Sequence, residues 1–406
     1  PGTVHIASST YLRIAPLFDV QELGSITVKG KREPVHTYRV LGKIAAPGRL
    51  RGIPGLEVPP MVGRDAEMHA LRGAIIELRQ GQGKIISVIG EAGLGKSRLL
   101  AELRAAPTPL PEAKSPVRWL EGPSLSYETA APYAPIVRLL NDYFDLGGDL
   151  SDKQKLESIK DNLGAFMPEQ TPMVAPYLAA LLGITLAGEE AERVRYLNPP
   201  QMRARTAQAV RAFFEQLATQ QPLVLLLDDR HWIDSASRDR LGQLLPLTGP
   251  SPLMIVTLFR PDKEAPSWAY HEKTAETFNP RTAGARYLAI ELNPLPEEAS
   301  REIAANLLQV EALPHMAQEL IMARAEGNPF YVEEIMRTLF DTDMLTWGDE
   351  GWQPAQGIEK FTVPDTLAGV ITARLDRLDP GTKTAAQAAA VIGRQFDLGT
   401  LATLLD

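Results

Sequence analysis

The run Gly90-Glu91-Ala92-Gly93-Leu94-Gly95-Lys96-Ser97, followed by Arg98, has the residue types and spacing of a phosphate cradle. Glycines let backbone N–H groups curl around phosphate oxygens, and a following helix N-terminus adds a positive dipole. Lys96 supplies mobile charge at the β- and γ-phosphates, and Ser97 supplies a hydroxyl for Mg²⁺. The reading is therefore a Walker A loop, with a ligand-free glycine turn as its plain alternative. A second feature is Leu223-Val224-Leu225-Leu226-Leu227-Asp228-Asp229, an apolar strand ending in two carboxylates. Buried charge must be compensated, so such a pair is costly unless it serves a cation or a water. Asp228 is expected to hold Mg²⁺ through its water shell and Asp229 to polarise an attacking water. The third feature is Arg260, at the end of the apolar run Leu253–Leu258. A cation at a strand tip beside the carboxylates can reach a γ-phosphate; a solvated arginine closing a strand is its bland counterpart.

Placing these groups requires a parallel α/β layer. Ile85 to Ile89 reads as a buried strand emptying into the glycine loop, and Leu99, Leu100 and Leu103 mark the helix after it. Further strands are predicted at 117–121, 223–229, 253–258 and 287–292. Helices are predicted at 68–78, 132–146 and 201–221 from their apolar spacing. Residues 147–200 read as a helical and loop-rich insertion without an interpretable motif. In Glu326-Gly327-Asn328-Pro329-Phe330, Gly327 is a helix stop and Pro329 a first-turn residue, so one helix ends there and another begins. Beyond Pro364 the pattern predicts two more helices. Upstream, residues 1–42 alternate apolar and polar at 4–7, 26–31 and 35–40, a strand signature, with a short helix at 9–14. Residues 43–60, rich in proline and glycine, read as a linker. The expected domains are 1–42, a P-loop domain at 61–292, a helical lid at 293–345, and a last segment at 346–406.

The chain has 406 residues, 44% of them hydrophobic, enough for several buried cores. Its net charge of −8 argues against a large phosphate-binding surface, and with it against nucleic acid. No cysteine is present, which excludes disulfides and thiolate metal sites and fits a cytoplasmic protein. The six histidines form no ligand spacing. No apolar run is long enough to cross a bilayer. The Pro-Gly-Thr start predicts that Pro1 is the cut end of a longer protein.

Two family resemblances follow from particular residues. Pro1-Gly2 with an Ile-Ala-Ser strand, Leu23-Gly24, Val28-Lys29-Gly30-Lys31 and Pro34-Val35-His36-Thr37-Tyr38-Arg39-Val40 resemble the C-terminal end of a class III adenylate/guanylate cyclase domain. That resemblance matches Lys29 to a lysine contacting substrate phosphates, and it places the family's metal-binding aspartates upstream of Pro1. Met61-Val62-Gly63-Arg64-Asp65-Ala66-Glu67, the Walker elements and Asp228-Asp229-Arg230-His231-Trp232-Ile233-Asp234-Ser235-Ala236-Ser237 resemble STAND ATPases, the AAA+-like signal-transduction ATPases with numerous domains. Arg230 departs from the apolar residue usual there. This resemblance implies that Val62, Gly63 and Arg64 wrap the adenine, that Arg260 is a sensor of the γ-phosphate, and that Pro329 approaches the adenine from the lid. It implies further that residues 346–406 begin a winged helix. The expected fold is thus an α/β P-loop NTPase with a parallel sheet, an all-helical lid, a partial winged helix and a small β-rich N-terminal remnant. The expected function is a Mg²⁺- and ATP/ADP-dependent regulatory switch with slow hydrolysis, partnered by the rest of its own chain, a protein or a second copy. The rivals are a nucleotidyl cyclase regulated by this ATPase and a DNA-binding regulator. The acidic balance and the lack of a Lys/Arg-rich helix near the C-terminus count against the latter.

Overall fold

A computed structural model describes residues 4–7, 18–26, 35–43, 60–105, 116–122, 133–146, 150–227, 241–278, 286–308, 315–342, 344–348, 351–354, 367–376, 378–392 and 398–405. They fall into two compact units. The sheet unit comprises Ala66–Ala92 and Ala106–Leu292; the helical unit comprises Pro1–Asp65, Gly93–Ala105 and Asn293–Asp406.

In the sheet unit, strands β4 (Lys84–Ile89), β5 (Arg118–Glu121), β6 (Leu223–Leu227), β7 (Leu253–Phe259) and β8 (Tyr287–Glu291) form one sheet in the order β5-β6-β7-β4-β8. Every neighbouring pair is parallel. All residues of β7 are buried, as are Ile85–Ile89 of β4. Continuous apolar strands of this kind are what a parallel sheet covered on both faces requires. Within that apolar face sit two hydroxyls, Ser87 and Thr257, 3.3 Å apart, and the Thr257 hydroxyl donates to the Ile86 carbonyl at 3.1 Å.

Among the described residues this unit includes, besides α1 (Asp65–Arg79), whose first residue lies in the other, the helices α3 (Ala134–Phe144), α4 (Asp152–Gly164), α5 (Thr171–Leu181), α6 (Glu189–Arg195) and α7 (Pro199–Gln220). Another, α8 (Pro266–Thr277), follows β7. Residues 147–200, expected as an insertion, build part of the main core. Ile159, Leu163, Val174 and Leu178 share one apolar cluster with Phe213, Phe214 and the strand residues Leu223 and Leu225. Ser151 and Asn198 cap α4 and α7 through reciprocal side-chain and backbone hydrogen bonds with Gln154 and Gln201.

The helical unit contains α2 (Lys96–Ala105), α9 (Glu297–Leu308), α10 (His315–Ala325) and α11 (Pro329–Asp341). Its core joins Val62, Leu295, Ile303, Leu307, Ile321, Val332, Ile335 and Leu339. A two-stranded hairpin follows, β9 (Leu345–Gly348) with β10 (Gly351–Pro354), and then α12 (Leu367–Asp376), α13 (Pro380–Ile392) and α14 (Leu398–Leu405). The hairpin straddles the expected boundary at 345 and lies almost wholly in a stretch before Pro364 for which no element was expected.

Near the N-terminus, β1 (Val4–Ala7), β2 (Phe18–Ile26) and β3 (Val35–Lys43) form an antiparallel sheet in the order β1-β3-β2. The strand expected at 26–31 is instead β2, which ends at Ile26; residues 27–31, including Lys29, the helix expected at 9–14 and most of the linker lie outside the described residues. No helix among the described residues is long and apolar enough to cross a membrane.

Candidate functional site

The residues of the loop fall in both units, Gly90–Ala92 in the sheet unit and Gly93–Ser97 in the helical unit. In the sheet unit, Ile89 is in register with Phe259, and the next residue of β4's chain, Gly90, donates its N–H to the Phe259 carbonyl at 3.2 Å. Arg260 directly follows Phe259 and is exposed, so the strand ladder places it at the same sheet edge as Gly90 and Glu91. At that edge Leu227 of β6 pairs with Thr257. Asp228, Asp229 and Arg230 follow Leu227 in the chain and lie outside the described residues.

In the helical unit, Gly93 and Gly95 both have φ +89°, a left-handed conformation that L side chains resist. Gly93 has a steric reason as well. A Cβ there would lie 2.5 Å from Asn328 Oδ1 and 2.9 Å from the Phe330 Cβ. The Gly95 carbonyl accepts from the Leu99 N–H at 2.9 Å, which carries the loop into α2 with Lys96 as its first residue. Helix α2 has no acidic residue in its first turn and buries Leu99, Leu100 and Leu103. Lys96 is half-buried and Ser97 exposed. Left-handed glycines, a helix whose first turn carries no acidic residue of its own, a lysine and an exposed hydroxyl fit a bound phosphate, whose negative charge the dipole and the N–H groups favour. Among the described residues no three His, Asp or Glu side chains cluster as a metal site.

Segment 62–64 is fixed to the same unit. Val62 is buried in its core, and Gly63 has φ +68°. Arg64, only 7% exposed, donates from Nη2 to the Asn293 carbonyl at 2.8 Å and to the Leu94 carbonyl at 3.3 Å. Its guanidinium thus braces the loop at Leu94, itself buried. Arg98 faces two carboxylates: its Nη2 lies 3.6 Å from Glu102 and its Nη1 3.7 Å from Glu333.

Pro329 is the first residue of α11, where its missing N–H costs no hydrogen bond. Asn328 caps that helix, its Oδ1 accepting from the Phe330 N–H at 3.0 Å. Gly327, at φ +75°, donates no side chain to a place where a Cβ would stand 2.3 Å from the Leu295 carbonyl oxygen. The Leu295 N–H donates to the Gly327 carbonyl at 2.7 Å. One unit therefore gathers Val62, Gly63, Arg64, Gly93–Arg98 and Pro329. It also brings in Asn328 and Glu333, which the sequence reading passed over; an asparagine before a first-turn proline was the available signal for the first.

Below the sheet edge, the Tyr287 hydroxyl and His271 Nδ1 of α8 are 2.8 Å apart and buried. Burial pushes the His271 imidazole pKa down, against the carboxylates of Glu272 and Glu291, which pull it up. Burial likewise pushes the Tyr287 phenol up to about 12, opposed by the Ser87 hydroxyl.

Residues 60–256, just under half of the chain, match the model of the AAA ATPase domain family. An uncharacterized protein of Rhizobium meliloti (strain 1021) is 24% identical over 99% of this chain and 36% of its own length. The chain thus spans about a third of that curated relative. Solved structures with partial likeness to this chain include a Signal Transduction ATPase with Numerous Domains (STAND) protein with a tetratricopeptide repeat sensor from Pyrococcus horikoshii. It is 11% identical with TM-score 0.39, over 85% of this chain and 37% of that one. The Drosophila ORC bound to DNA is 13% identical with TM-score 0.43, over 87% of this chain and 75% of that one.

Proposed function

We propose, with the AAA ATPase domain as premise, that the chain binds ATP and ADP at Gly90–Arg98 and works as a slowly hydrolysing regulatory switch. The observation that supports this most is the loop in the helical unit: Gly93 and Gly95 at φ +89° run into α2, while Arg64 and Asn328 touch that loop directly. In this reading Lys96 neutralises charge at the β- and γ-phosphates, Arg260 senses the γ-phosphate, and Asp229 orients the attacking water. Ser97 and Asp228 would hold Mg²⁺, which supplies charge neutralisation at the phosphate oxygens. Val62, Gly63 and Pro329 form the base side, and Arg64 serves the loop through its carbonyl contacts.

The helices α9–α11 act as the lid. The STAND resemblance gives α12–α14 to the start of a winged helix, and the class III cyclase resemblance gives β1–β3 to the remnant of a cyclase domain in a cytoplasmic signalling protein. Its partners would be the rest of its own chain, a protein or a second copy. A switch needs a γ-phosphate-dependent difference in contacts between two lid positions, because a ligand shifts an equilibrium only by its differential affinity. Incubation with Mg-ATP or Mn-ATP and chromatographic separation of products tests the reading. ADP without cyclic nucleotide is expected. Cyclic AMP that disappears in Lys29→Ala and persists in Lys96→Ala would overturn it in favour of a cyclase.

A further inference from the structure

We infer that Arg98, shared between Glu102 and Glu333, is a reversible latch that holds α11 against the loop and slows release of bound ADP. The inference rests on the switch reading above and names the contact that sets its rate.

Among the contacts that join α11 to the loop and its helix, two lie at different points along α11. At the first turn, the Asn328 side chain lies where a Gly93 Cβ would stand, so α11 begins against the loop itself. Farther along α11, Glu333 reaches Arg98 of α2 at 3.7 Å. That arginine also has Glu102, on its own helix and at 3.6 Å, a nearly equal distance. The side chains of Arg98 and Glu333 are 19% and 21% exposed, enough burial for an unpaired charge to be costly and enough exposure for the pair to open.

The duplicate partner has a physical consequence. Were Glu333 the single counter-charge, moving α11 away would strand the Arg98 guanidinium in a half-buried place. Glu102 travels with Arg98 on α2, so opening leaves the cation paired and the barrier moderate. The two carboxylates therefore pull in opposite senses. Glu333 favours α11 against the loop, and Glu102 favours its departure. A salt bridge with a merely structural role would give both substitutions the same sign.

Glu333 and Glu102 lie outside the candidate binding residues, so their removal leaves the phosphate and base contacts in place. The test loads the protein with a fluorescent ADP analogue and follows its release by stopped flow into excess unlabelled ADP. Glu333→Gln is expected to speed release about fivefold or more, the scale of a modest coupling between sites. Glu102→Gln is expected to slow it. In the charge exchange, Arg98→Glu speeds release and Arg98→Glu combined with Glu333→Arg brings it back toward the parental rate. Circular dichroism melts of each variant separate these changes from loss of fold; the glutamine variants change no side-chain volume to speak of and keep the comparison available should Arg98→Glu not fold. Parental release from Glu333→Gln, or equal signs for the two glutamine variants, overturns the latch while leaving the switch. Failure of the parent protein to hold ADP overturns both.

Discussion

In the sheet unit Gly90 and Arg260 are placed by β4 and β7, buried from Ile85 to Ile89 and from Leu253 to Phe259. In the helical unit, by contrast, the polar side chains of Arg64, Asn328 and Glu333 reach Gly93–Arg98 alongside the apolar Phe330. Apolar burial is non-directional and yields only by breaking the core, so the strand tips have one position. Polar contacts can exchange partners, as Arg98 can between Glu102 and Glu333. The two units thus hold their parts of the loop differently: apolar strand burial fixes Gly90 and Arg260, and exchangeable polar contacts surround Gly93–Arg98.

The largest effect expected from breaking that contrast is chemical. Asp229→Asn should keep nucleotide binding and lower turnover by about 10² or more, the usual scale for a positioned base. Asp228→Asn should instead weaken the Mg²⁺ dependence. Hydrolysis by Asp229→Asn at the parental rate would place the catalytic carboxylate elsewhere.

Next comes the helical unit's own scaffold. Gly327→Ala forces a Cβ against the Leu295 carbonyl in a left-handed backbone and should cost about 1–3 kcal/mol. Urea unfolding measures it, and the loss should be accompanied by weaker nucleotide binding, because Gly327 sets the start of α11. An unchanged unfolding midpoint would show that the turn relaxes freely.

The sheet unit should show a pH signature at its buried His271. His271 is held neutral by burial, its folded pKa below the unfolded value of about 6.5. Its contribution to stability is whole above that unfolded value. It is lost as the pH falls from there through the lowered folded pKa, because the unfolded chain takes the proton first. Unfolding midpoints at pH 7.5 and 5.5 should therefore drop more in the parent than in His271→Gln. An equal drop in both would assign the acid sensitivity to other groups.

These elements also show what the sequence made legible. The strands β4, β6 and β7 and the helix α7 stood out because burial on both faces leaves apolar runs, and α7 adds helical spacing. Strand β2 did not. Its pairing with β3 shifts register between Asp19 and Val20 and again between Glu22 and Gly24, and each irregularity breaks the period-two alternation that marks a strand. The β9–β10 hairpin, with Trp347 opposite Trp352, was hidden by its short strands. At the site, the glycine loop was readable because its conformation demands residue types. Arg64's two carbonyl partners, Asn293 and Leu94, are far from one another in the chain, and only folding brings them to one guanidinium.

The smallest effect concerns the base. Replacing Pro329, or Val62 and Gly63 together, should reduce the preference for ATP over GTP several-fold, about 1 kcal/mol, and spare phosphate affinity. Competition binding with the two nucleotides reads it. A preference unchanged in both variants would return these residues to purely structural roles at the head of α11 and in the core of the helical unit.

The central claim is that nucleotide phosphates sit on the loop from Gly90 to Ser97, with Lys96 as their mobile cation. Titration of the parent and of Lys96→Ala with a fluorescent ATP analogue in the presence of Mg²⁺ tests it most directly. The account predicts saturable binding by the parent and affinity weakened by about 10²-fold or more, roughly 2.7 kcal/mol, in Lys96→Ala. Affinity of Lys96→Ala within about threefold of the parent, roughly 0.7 kcal/mol, would contradict it.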